Sequence, residues 1–178
     1  MPIYIKFDGV DGDVTAEEFK NSIEVLSFSW GMTNEGGRPA GGGGGAGRVN
    51  VQDFNFTKHT DKSSPVLMLA CAKGTHIKKA VLFVRKTSGD TGNYLTAAGE
   101  AQSAAGEEPE APLKIRLYDV LVSGFVIKGE QKADDDWPTE SLSLNFSKVE
   151  FIERSQDPTG GLGIEVPAIF DIKTNKFG

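Results

Sequence analysis

The sequence predicts an all-β protein, a small bulged β-barrel of about eight strands with one short helix on its flank. Three observations support this fold class. Short stretches of alternating apolar and polar residues recur along the chain, which is the pattern of half-buried strands. Several of these stretches change the parity of their apolar residues halfway, as strands bent around a barrel do. One segment combines the signals that begin and end a helix.

The first predicted strand covers residues 2–7. Its odd-numbered residues Ile3, Ile5 and Phe7 are apolar, and a tyrosine and a lysine lie between them. This alternation predicts a first or edge strand with one face in the core.

Three further strands are predicted to change their buried face partway. In each of them the apolar side chains occupy positions of one parity and then positions of the other. A β-bulge produces this change, because one additional residue turns every later side chain to the opposite face. The apolar sets before and after each change are Ile23 and Val25, then Leu26, Phe28 and Trp30; Val49 and Val51, then Phe54 and Phe56; and Leu142, Leu144 and Phe146, then Val149 and Phe151.

The remaining predicted strands include one that is apolar on both faces. Residues 80–84 are continuously apolar, so we expect the barrel core on one face and a neighbouring subunit on the other. Alternation resumes over residues 113–127, and the last candidates are residues 164–166 and 169–172. Trp30 and Trp137 are either core residues or interface anchors, and the sequence does not separate the two.

One helix is predicted at residues 66–73. Ser64 is a candidate N-cap, Pro65 suits the first helical position, and Gly74 supplies a left-handed stop. Apolar residues cover nearly the whole circumference, so we expect this helix to be buried as a plug over a barrel mouth. Cys71 on it is interpreted as a small hydrophobic residue.

Residues 1–178 are predicted to form one domain with two long loops. A globule of this length buries roughly 70% of the surface that its unfolded chain exposes. Residues 33–47 contain eight glycines, and residues 88–112 form an inserted segment rich in Ala, Gly and Glu.

Composition and charge exclude several classes of protein. Lys and Arg total 19 and Asp and Glu total 25, and the scattered basic residues argue against a nucleic-acid partner. The longest apolar run, residues 66–72, is far shorter than the roughly 20 residues of a membrane span. A single cysteine excludes an internal disulfide, and no signal-peptide pattern is present. We therefore expect folding in a reducing cytoplasm and any export without a cleaved signal.

The glycine run at residues 41–45 is not a phosphate-binding loop. It leads into Gly-Arg-Val at residues 47–49, whereas such a loop ends in Gly-Lys-Ser/Thr. The segment that follows is also predicted to be a strand, so no helix N-terminus is available to hold phosphate. A flexible connector fits the sequence better.

No cofactor, metal or catalytic site is predicted. His59, Asp61 and His76 lack the clustered spacing of a metal site or a general-base site. The adjacent acids at residues 134–136 fit a hairpin turn better than a calcium loop, because they lack alternating ligand positions. Cys71 lies in an apolar segment, where a reactive thiolate would be costly. The protein is therefore predicted not to be an enzyme.

A set of motifs extends in order over most of residues 1–155. It includes Ser-Trp-Gly-Met at 29–32, the glycine run, Val-Asn-Val-Gln-Asp-Phe at 49–54, Asp-Lys-Ser-Ser-Pro at 61–65, Gly-Thr-His at 74–76, Asp-Val-Leu-Val-Ser at 119–123 and Pro-Thr-Glu-Ser-Leu-Ser-Leu-Asn-Phe at 138–146. These motifs closely resemble the Hcp (hemolysin-coregulated protein) family of type VI secretion. The family-motif residues singled out here are Trp30, Gln52, Asp53, Lys58, Asp61, Lys62, Ser64 and Pro65.

The resemblance implies a structural tube subunit. In this family six copies of a β-barrel close into a ring, rings stack into a tube, and a contractile sheath expels the tube with a trimeric spike at its tip. The implied partners are other copies of the chain, the spike, the sheath proteins and effector proteins carried in the lumen. The implied location is the bacterial cytoplasm, followed by secretion without a cleaved signal peptide. Residues 33–47 would contact the adjacent ring, and the ring-stacking residues would be Asn34, Gly36, Arg38, Gly41, Gly45 and Gly47.

Two regions depart from the family pattern. The insertion at residues 88–112 is longer than the usual connection, and the chain after Pro158 matches little of the family. The insertion's acidic residues, which include Glu108 and Glu110, would narrow a lumen and concentrate negative charge in it. We therefore expect the insertion outside the ring or between rings. The last twenty residues are too few for a catalytic domain of their own.

Two other functions stay open at this point. The chain could be a monomeric β-barrel module that binds carbohydrate or lipid, or a small hydrolase that uses His59 or His76. The native mass separates these functions, because a closed six-fold assembly fits the tube subunit alone.

Overall fold

A computed structural model describes residues 1–34, 49–85, 108–129, 137–156 and 162–178. These residues form strands, one α-helix (α1, Ser64–Lys73) and one 3-10 turn at Glu17–Phe19. The strands are β1 Ile3–Phe7, β2 Ile23–Glu24, β3 Ser27–Ser29, β4 Met32–Asn34, β5 Val49–Val51, β6 Phe54–His59, β7 His76–Val84, β8 Leu113–Lys128, β9 Thr139–Asn145, β10 Lys148–Gln156, β11 Leu162–Asp171 and β12 Lys176–Phe177. The predicted all-β class is confirmed.

The main sheet curves around one core but does not close into a complete barrel. Its strands follow the order β6, β9, β8, β7, β1, β2, with β3 pairing on the outer edge of β6. The strands β2 and β3 follow each other in the chain and do not pair with each other, so the curved sheet stays open at this point. Two backbone hydrogen bonds hold the chain on either side of the gap. Val25 N donates to Ile3 O at 2.9 Å, and Leu26 N donates to Thr57 O at 2.8 Å.

A three-stranded extension continues beyond the curved part of the sheet. The strands β9 and β10 pair successively with one edge of β8, while β7 pairs with the first half of its other edge. The strand β11 then pairs with β10, and β12 pairs with β11. The two last candidate strands of the sequence are therefore one strand, β11. The extension brings the C-terminal hairpin to the side of the barrel.

The predicted changes of buried face coincide with divisions between strands. In the hairpin formed by β3–β4 and β5–β6, Ser29 pairs with Asn55, and Gln52 N donates to Gly31 O at 3.0 Å. Between these two contacts one strand advances two residues, from 29 to 31, while its partner advances three, from 55 to 52. The partner strand therefore has a bulge beside Asp53. This offset explains the parity change there.

The other two parity changes have related causes. The chain changes partner from β1 to β6 between Val25 and Leu26, and β9 is separated from β10 at Phe146 and Ser147. The described residues form twelve strands where about eight were predicted. The three switching strands are each divided and β4 and β12 were not predicted, whereas the two last predicted strands are the single strand β11.

The core lies on the inner face of the curved sheet and has the apolar alternation expected from the sequence. Ile5, Phe54, Leu67 and Leu144 are fully buried there. Trp30 is half-buried against the same core, with its ring centroid 6.0 Å from that of Phe146. It is therefore a core residue, whereas Trp137 is 62% exposed.

The two-faced strand β7 is covered by its own chain. Val81 and Phe83 point away from the main core and form a second buried cluster with Phe19 and Ala111. The rings of Phe19 and Phe83 meet edge to face, with centroids 5.5 Å apart. The expectation that a neighbouring subunit covers this face is wrong, because Phe19 and the end of the insertion already fill it.

The helix α1 lies on the flank of the barrel and is only half buried. Leu67 and Ala70 pack into the core, whereas Val66, Met68 and Leu69 are 46–47% exposed. The predicted buried plug is therefore wrong. The uniform apolar composition did not reveal a buried side, because both sides of this helix carry apolar residues. Among the residues described, no helix is long and apolar enough to cross a membrane.

The helix ends as predicted but begins differently. Gly74 has φ 64°, and its N–H points to the carbonyls of Ala70 and Cys71. Pro65 lies in the first turn as expected, but no side chain caps the helix. Ser64 instead accepts a hydrogen bond from the Asp61 N–H at 3.0 Å, within the cluster described below.

Candidate assembly surfaces

A wall of small polar side chains covers the outer face of β3, β6, β9 and the second half of β8. Directly paired residues share a face, so the register defines the rows of this wall. One row consists of Ser27, Thr57, Ser141 and Val126, and the next of Ser29, Asn55, Ser143 and Gly124. Hydrogen bonds link the strands within the rows. One joins the Ser27 and Thr57 hydroxyls at 2.7 Å, and in the other Ser143 Oγ donates to Asn55 Oδ1 at 2.6 Å.

The central rows of this polar wall carry no charge and no long side chain. Ser27, Ser29 and Asn55 are exposed, whereas Ser143 is half-buried beside Gly124. A Cβ atom at Gly124 would lie 3.2 Å from the Ser143 side chain, so glycine keeps the wall flat there. The polar wall is a smooth hydrophilic surface.

The polar wall has an unpaired edge on each side. In the described part of the chain, β3 pairs with β6 alone, and residues 122–128 of β8 pair with β9 alone. All pairs in the wall are antiparallel, so with four strands the two outer ones run in opposite directions. Unpaired edges of this kind accept further strands.

An apolar patch lies on the three-stranded extension. Phe151, Ala168 and Val166 share the face that continues the barrel interior, with Glu153 directly opposite Val166 at its margin. Among the described residues no opposing sheet covers this face. Val166 is 61% exposed and Phe151 39% exposed. Phe177 stacks on Phe170 at 4.9 Å and is itself 72% exposed. Exposed apolar patches of this kind mark contact sites for other proteins.

The predicted stacking loop begins on an exposed hairpin stem. The strands β4 and β5 pair antiparallel, with Asn34 opposite Val49, and Asn34 is exposed at the end of the stem. The other predicted stacking residues lie outside the described residues. They are Gly36, Arg38, Gly41, Gly45 and Gly47.

Four family-motif residues meet at the start of α1, and three of them belong to one ionic cluster. Lys58 is fully buried, and its Nζ lies 2.8 Å from Asp61 Oδ1, 2.9 Å from Ser64 Oγ and 3.0 Å from the His59 carbonyl. Pro65 follows in the first helical turn. Lys62 does not take part, because it is exposed and lies 4.0 Å from Asp13.

Glu140 completes this cluster, and the sequence analysis did not identify it. Its Oε2 lies 2.8 Å from Lys58 Nζ, in ionic contact without hydrogen-bond geometry, and its side chain is fully buried. The signal was available, because Glu140 shares the parity of the core residues Leu142 and Leu144, and Lys58 shares that of Phe56. We call Lys58, Asp61, Ser64 and Glu140 the Lys58 cluster.

The other three motif residues lie at the bulge of the β3–β6 hairpin. Trp30 Nε1 donates to the Gln52 carbonyl at 3.1 Å. The Asp53 carboxylate accepts hydrogen bonds from Ser123 Oγ at 2.6 Å and Asn145 Nδ2 at 2.9 Å. These bonds join β6, β8 and β9 at one end of the polar wall.

The described end of the insertion lies across the outer sheet face. Glu108 contacts Lys79 at 3.1 Å and Arg116 at 2.6 Å, and Arg116 also contacts Glu150 at 3.2 Å. Glu110 pairs with Arg154 at 2.7 Å. We call these residues the outer charge network. Glu108 and Glu110 are therefore ion-pair partners rather than freely solvated acids, and Pro109, Ala111 and Pro112 beside them are buried.

The outer charge network shifts the pKa values of its members. Burial raises the pKa of Glu108, but hydrogen bonds and charge from Arg116 and Lys79 outweigh burial and hold that pKa below its ordinary value. The pKa of Glu150 is lowered in the same way by Lys148 and Arg116, again against the effect of burial. Burial and the hydrogen bond with Glu150 raise the pKa of Tyr118 to about 12.

The candidate catalytic or metal-binding residues are dispersed. His76 Nδ1 lies 2.7 Å from Asp119 Oδ1, whereas His59 is half-buried with Nδ1 unpartnered among the residues described. Asp61 belongs to the Lys58 cluster, and Cys71 is half-buried on α1. Within the described ranges no three His, Cys, Asp or Glu side chains are grouped to hold a metal ion. The acids at residues 134–136 lie outside those ranges.

Comparisons with known proteins give a consistent result. The sequence model of the family described as "Type VI secretion system effector, Hcp" matches residues 4–98. The protein hcp1 of Pseudomonas aeruginosa is 39% identical over 160 residues, which cover 90% of this chain and 87% of hcp1.

Solved structures agree with this family match. Hcp1 from Salmonella typhimurium aligns with a TM-score of 0.74 and 29% identity over 99% of this chain and 98% of its own. A structure described as a type six secretion system protein aligns with a TM-score of 0.81 and 27% identity over 99% of both chains. The likeness therefore extends over nearly all of the chain.

Proposed function

The chain belongs to the Hcp family of secreted type VI secretion tube proteins, and we propose that it is a non-enzymatic subunit of the inner tube, six copies of which close into a ring. Rings of this kind stack into the tube that the sheath expels with the spike. The single observation that carries the proposal is the polar wall with one unpaired strand edge on each side.

The polar wall suits the inside of a ring. Its outer strands run in opposite directions, so the β8 edge of one copy meets the β3 edge of the next in antiparallel orientation, and the alternation continues around the ring. A heterologous contact repeated by rotation closes into a ring. Small uncharged side chains such as Ser29, Asn55 and Ser143 then face the bore, where effector proteins pass without strong binding.

The apolar patch supplies a second contact between copies. Its exposed residues, among them Val166 and Phe177, lie on an extension that reaches away from the barrel. Removal of apolar surface from water contributes about 25 cal/mol for each Å², and this contribution opposes the entropic cost of association. We assign the neighbouring copy as the partner of this patch. The extension and the polar wall belong to the same sheet, and the edges of the wall contact that copy.

Ring stacking is assigned to residues 33–47, with the β4–β5 stem as their base. The domain as a whole is proposed to be a single unit, residues 1–178, and the insertion at 88–112 is proposed to lie outside the ring. This placement is supported by the outer charge network, because Glu108 and Glu110 bind the sheet face opposite the core at β7, β8 and β10.

Native mass spectrometry of the purified protein tests the proposal. We expect a hexamer at micromolar concentration, and we expect Val166→Lys to shift the population to smaller species, because a charge enters the apolar patch. Thr15→Lys adds the same charge at an exposed position elsewhere and should leave the hexamer intact. A parent protein that stays monomeric at all these concentrations would favour the monomeric binding module.

Stacking is tested separately. Replacement of residues 35–48 by a tight turn should leave the hexamer intact and abolish tubes in electron micrographs, because a surface loop contributes little to the core. If the shortened protein still forms tubes as readily as the parent, another surface stacks the rings.

A further inference from the structure

Neighbouring strands bend at the level where the extension leaves the barrel. In β8, Leu117 and Val120 both point into the core although regular alternation would place them on opposite faces. Of the two residues between them, Asp119 has φ 55°, the left-handed conformation. Phe146 and Val149 show the same change of face at the division between β9 and β10. The bend therefore involves two paired strands together.

The bend at Asp119 is held by its surroundings. A left-handed conformation is uncommon outside glycine, and Asp and Asn are the residues that tolerate it best. Such a conformation persists where the surrounding structure determines it, and it is often linked to function. Ser147 N donates to the Tyr118 carbonyl at 3.0 Å, and Ile172 N donates to the Ser147 carbonyl at 2.8 Å. The turn that follows β11 is thus tied to the bend.

The Asp119 side chain joins three separate elements at this bend. Lys173 Nζ, on the turn between β11 and β12, donates to Oδ2 at 2.6 Å. His76 Nδ1, at the start of β7, lies 2.7 Å from Oδ1. One carboxylate therefore connects the barrel strand β7, the bent strand β8 and the C-terminal hairpin.

We propose that Asp119 is a positioning residue that sets the angle at which the extension leaves the barrel, and so the orientation in which its apolar patch meets the neighbouring copy. The inference rests on the proposed ring, because the patch has this role only if copies assemble. A closed ring requires one fixed angle between successive subunits. A hairpin tied at Lys173 holds that angle, whereas an untied hairpin samples several.

The first test isolates the hairpin from assembly. In a Val166→Lys background, which disfavours rings, hydrogen exchange of residues 162–178 reports local opening of the hairpin. We expect Asp119→Asn, Asp119→Gly and Lys173→Met each to raise exchange there by about two- to fivefold, the range expected from an exposed ion pair. Asparagine and glycine both accept the left-handed backbone, so these variants keep the bend while removing the charge. Lys78→Met, an exposed lysine of β7 without an ion pair in the described ranges, is the matched control.

The second test measures ring assembly with the natural Val166. The same three variants should lower the hexamer fraction on dilution in native mass spectra. Lys173→Arg keeps the cation and should therefore restore the hexamer fraction that Lys173→Met loses. Unchanged hairpin exchange in Asp119→Asn and Lys173→Met would overturn the inference, and so would a failure of Lys173→Arg to restore assembly. If the parent protein forms no ring, the proposed function fails, and the exchange experiment still decides whether Asp119 holds the hairpin.

Discussion

The Lys58 cluster and the outer charge network both pair a cation with carboxylates, but in different surroundings. Lys58 lies inside the barrel with a fully buried side chain, whereas Arg116 lies on the outer sheet face with 24% of its side chain exposed. Each contacts two carboxylates. Burial of a charge costs several kcal/mol, and its partners offset that cost only if all of them remain. Removal of one partner should therefore destabilise the fold severely in the Lys58 cluster and moderately in the outer charge network.

The largest effect is expected from Lys58→Met. The substitution leaves Asp61 and Glu140 without their cation beneath α1, so the free energy of unfolding should fall by about 3–5 kcal/mol. Urea denaturation followed by circular dichroism measures the change. The double variant Lys58→Met, Glu140→Leu should recover part of the loss, because it also removes a buried carboxylate. A loss below that of Arg116→Met would contradict the comparison.

A smaller effect is expected from Arg116→Met. Methionine retains much of the apolar stem but removes the charged hydrogen bonds to Glu108 and Glu150, so we expect a loss of about 1–2 kcal/mol. Solvent reaches this network and compensates part of the change. The same urea titration provides the measurement. A loss as large as that of Lys58→Met would show that exposure does not separate the two clusters.

Acid should weaken the outer charge network. The pKa values of Glu108 and Glu150 are lowered in the folded state, so their contribution is fully present above the unfolded value of about 4.3. It is lost as the pH falls through the lower folded pKa values. The free energy of unfolding should therefore decrease below about pH 4, and Arg116→Met should flatten this decrease. An equally steep acid dependence in both proteins would assign it to other carboxylates.

The smallest effect is expected from Lys62→Met. Lys62 belongs to the same motif as Lys58 and Asp61, but it is exposed and its contact with Asp13 is 4.0 Å long. Exposed pairs of this kind contribute about 0–1 kcal/mol, so the urea midpoint should hardly move. If Lys62→Met leaves the monomer unchanged but abolishes stacked tubes, Lys62 is an assembly residue rather than a folding residue.

In most strands, the alternation of apolar residues predicted which side chains are buried. The alternation of Ile3, Ile5 and Phe7 corresponds to a strand with those residues buried, and the parity change at residues 49–56 corresponds to a bulge. The same rule would have revealed Lys58 and Glu140 as buried charges, since both occupy core positions. Alternation of apolar residues alone does not reveal the Lys58 cluster, because its lysine and glutamate occupy core positions as charged residues.

The all-β class, the position of the helix, its stop at Gly74 and the family could all be predicted from the order of the residues. These features depend on neighbours in the chain, where side-chain alternation and backbone preference act directly. The cover of β7 by Phe19, the open gap between β2 and β3, and the junction at Asp119 were decided by the tertiary structure alone. Each depends on packing against segments that are distant in sequence. The free energy gained by burying these segments together exceeds the local backbone preferences, so the sequence pattern alone does not predict the result.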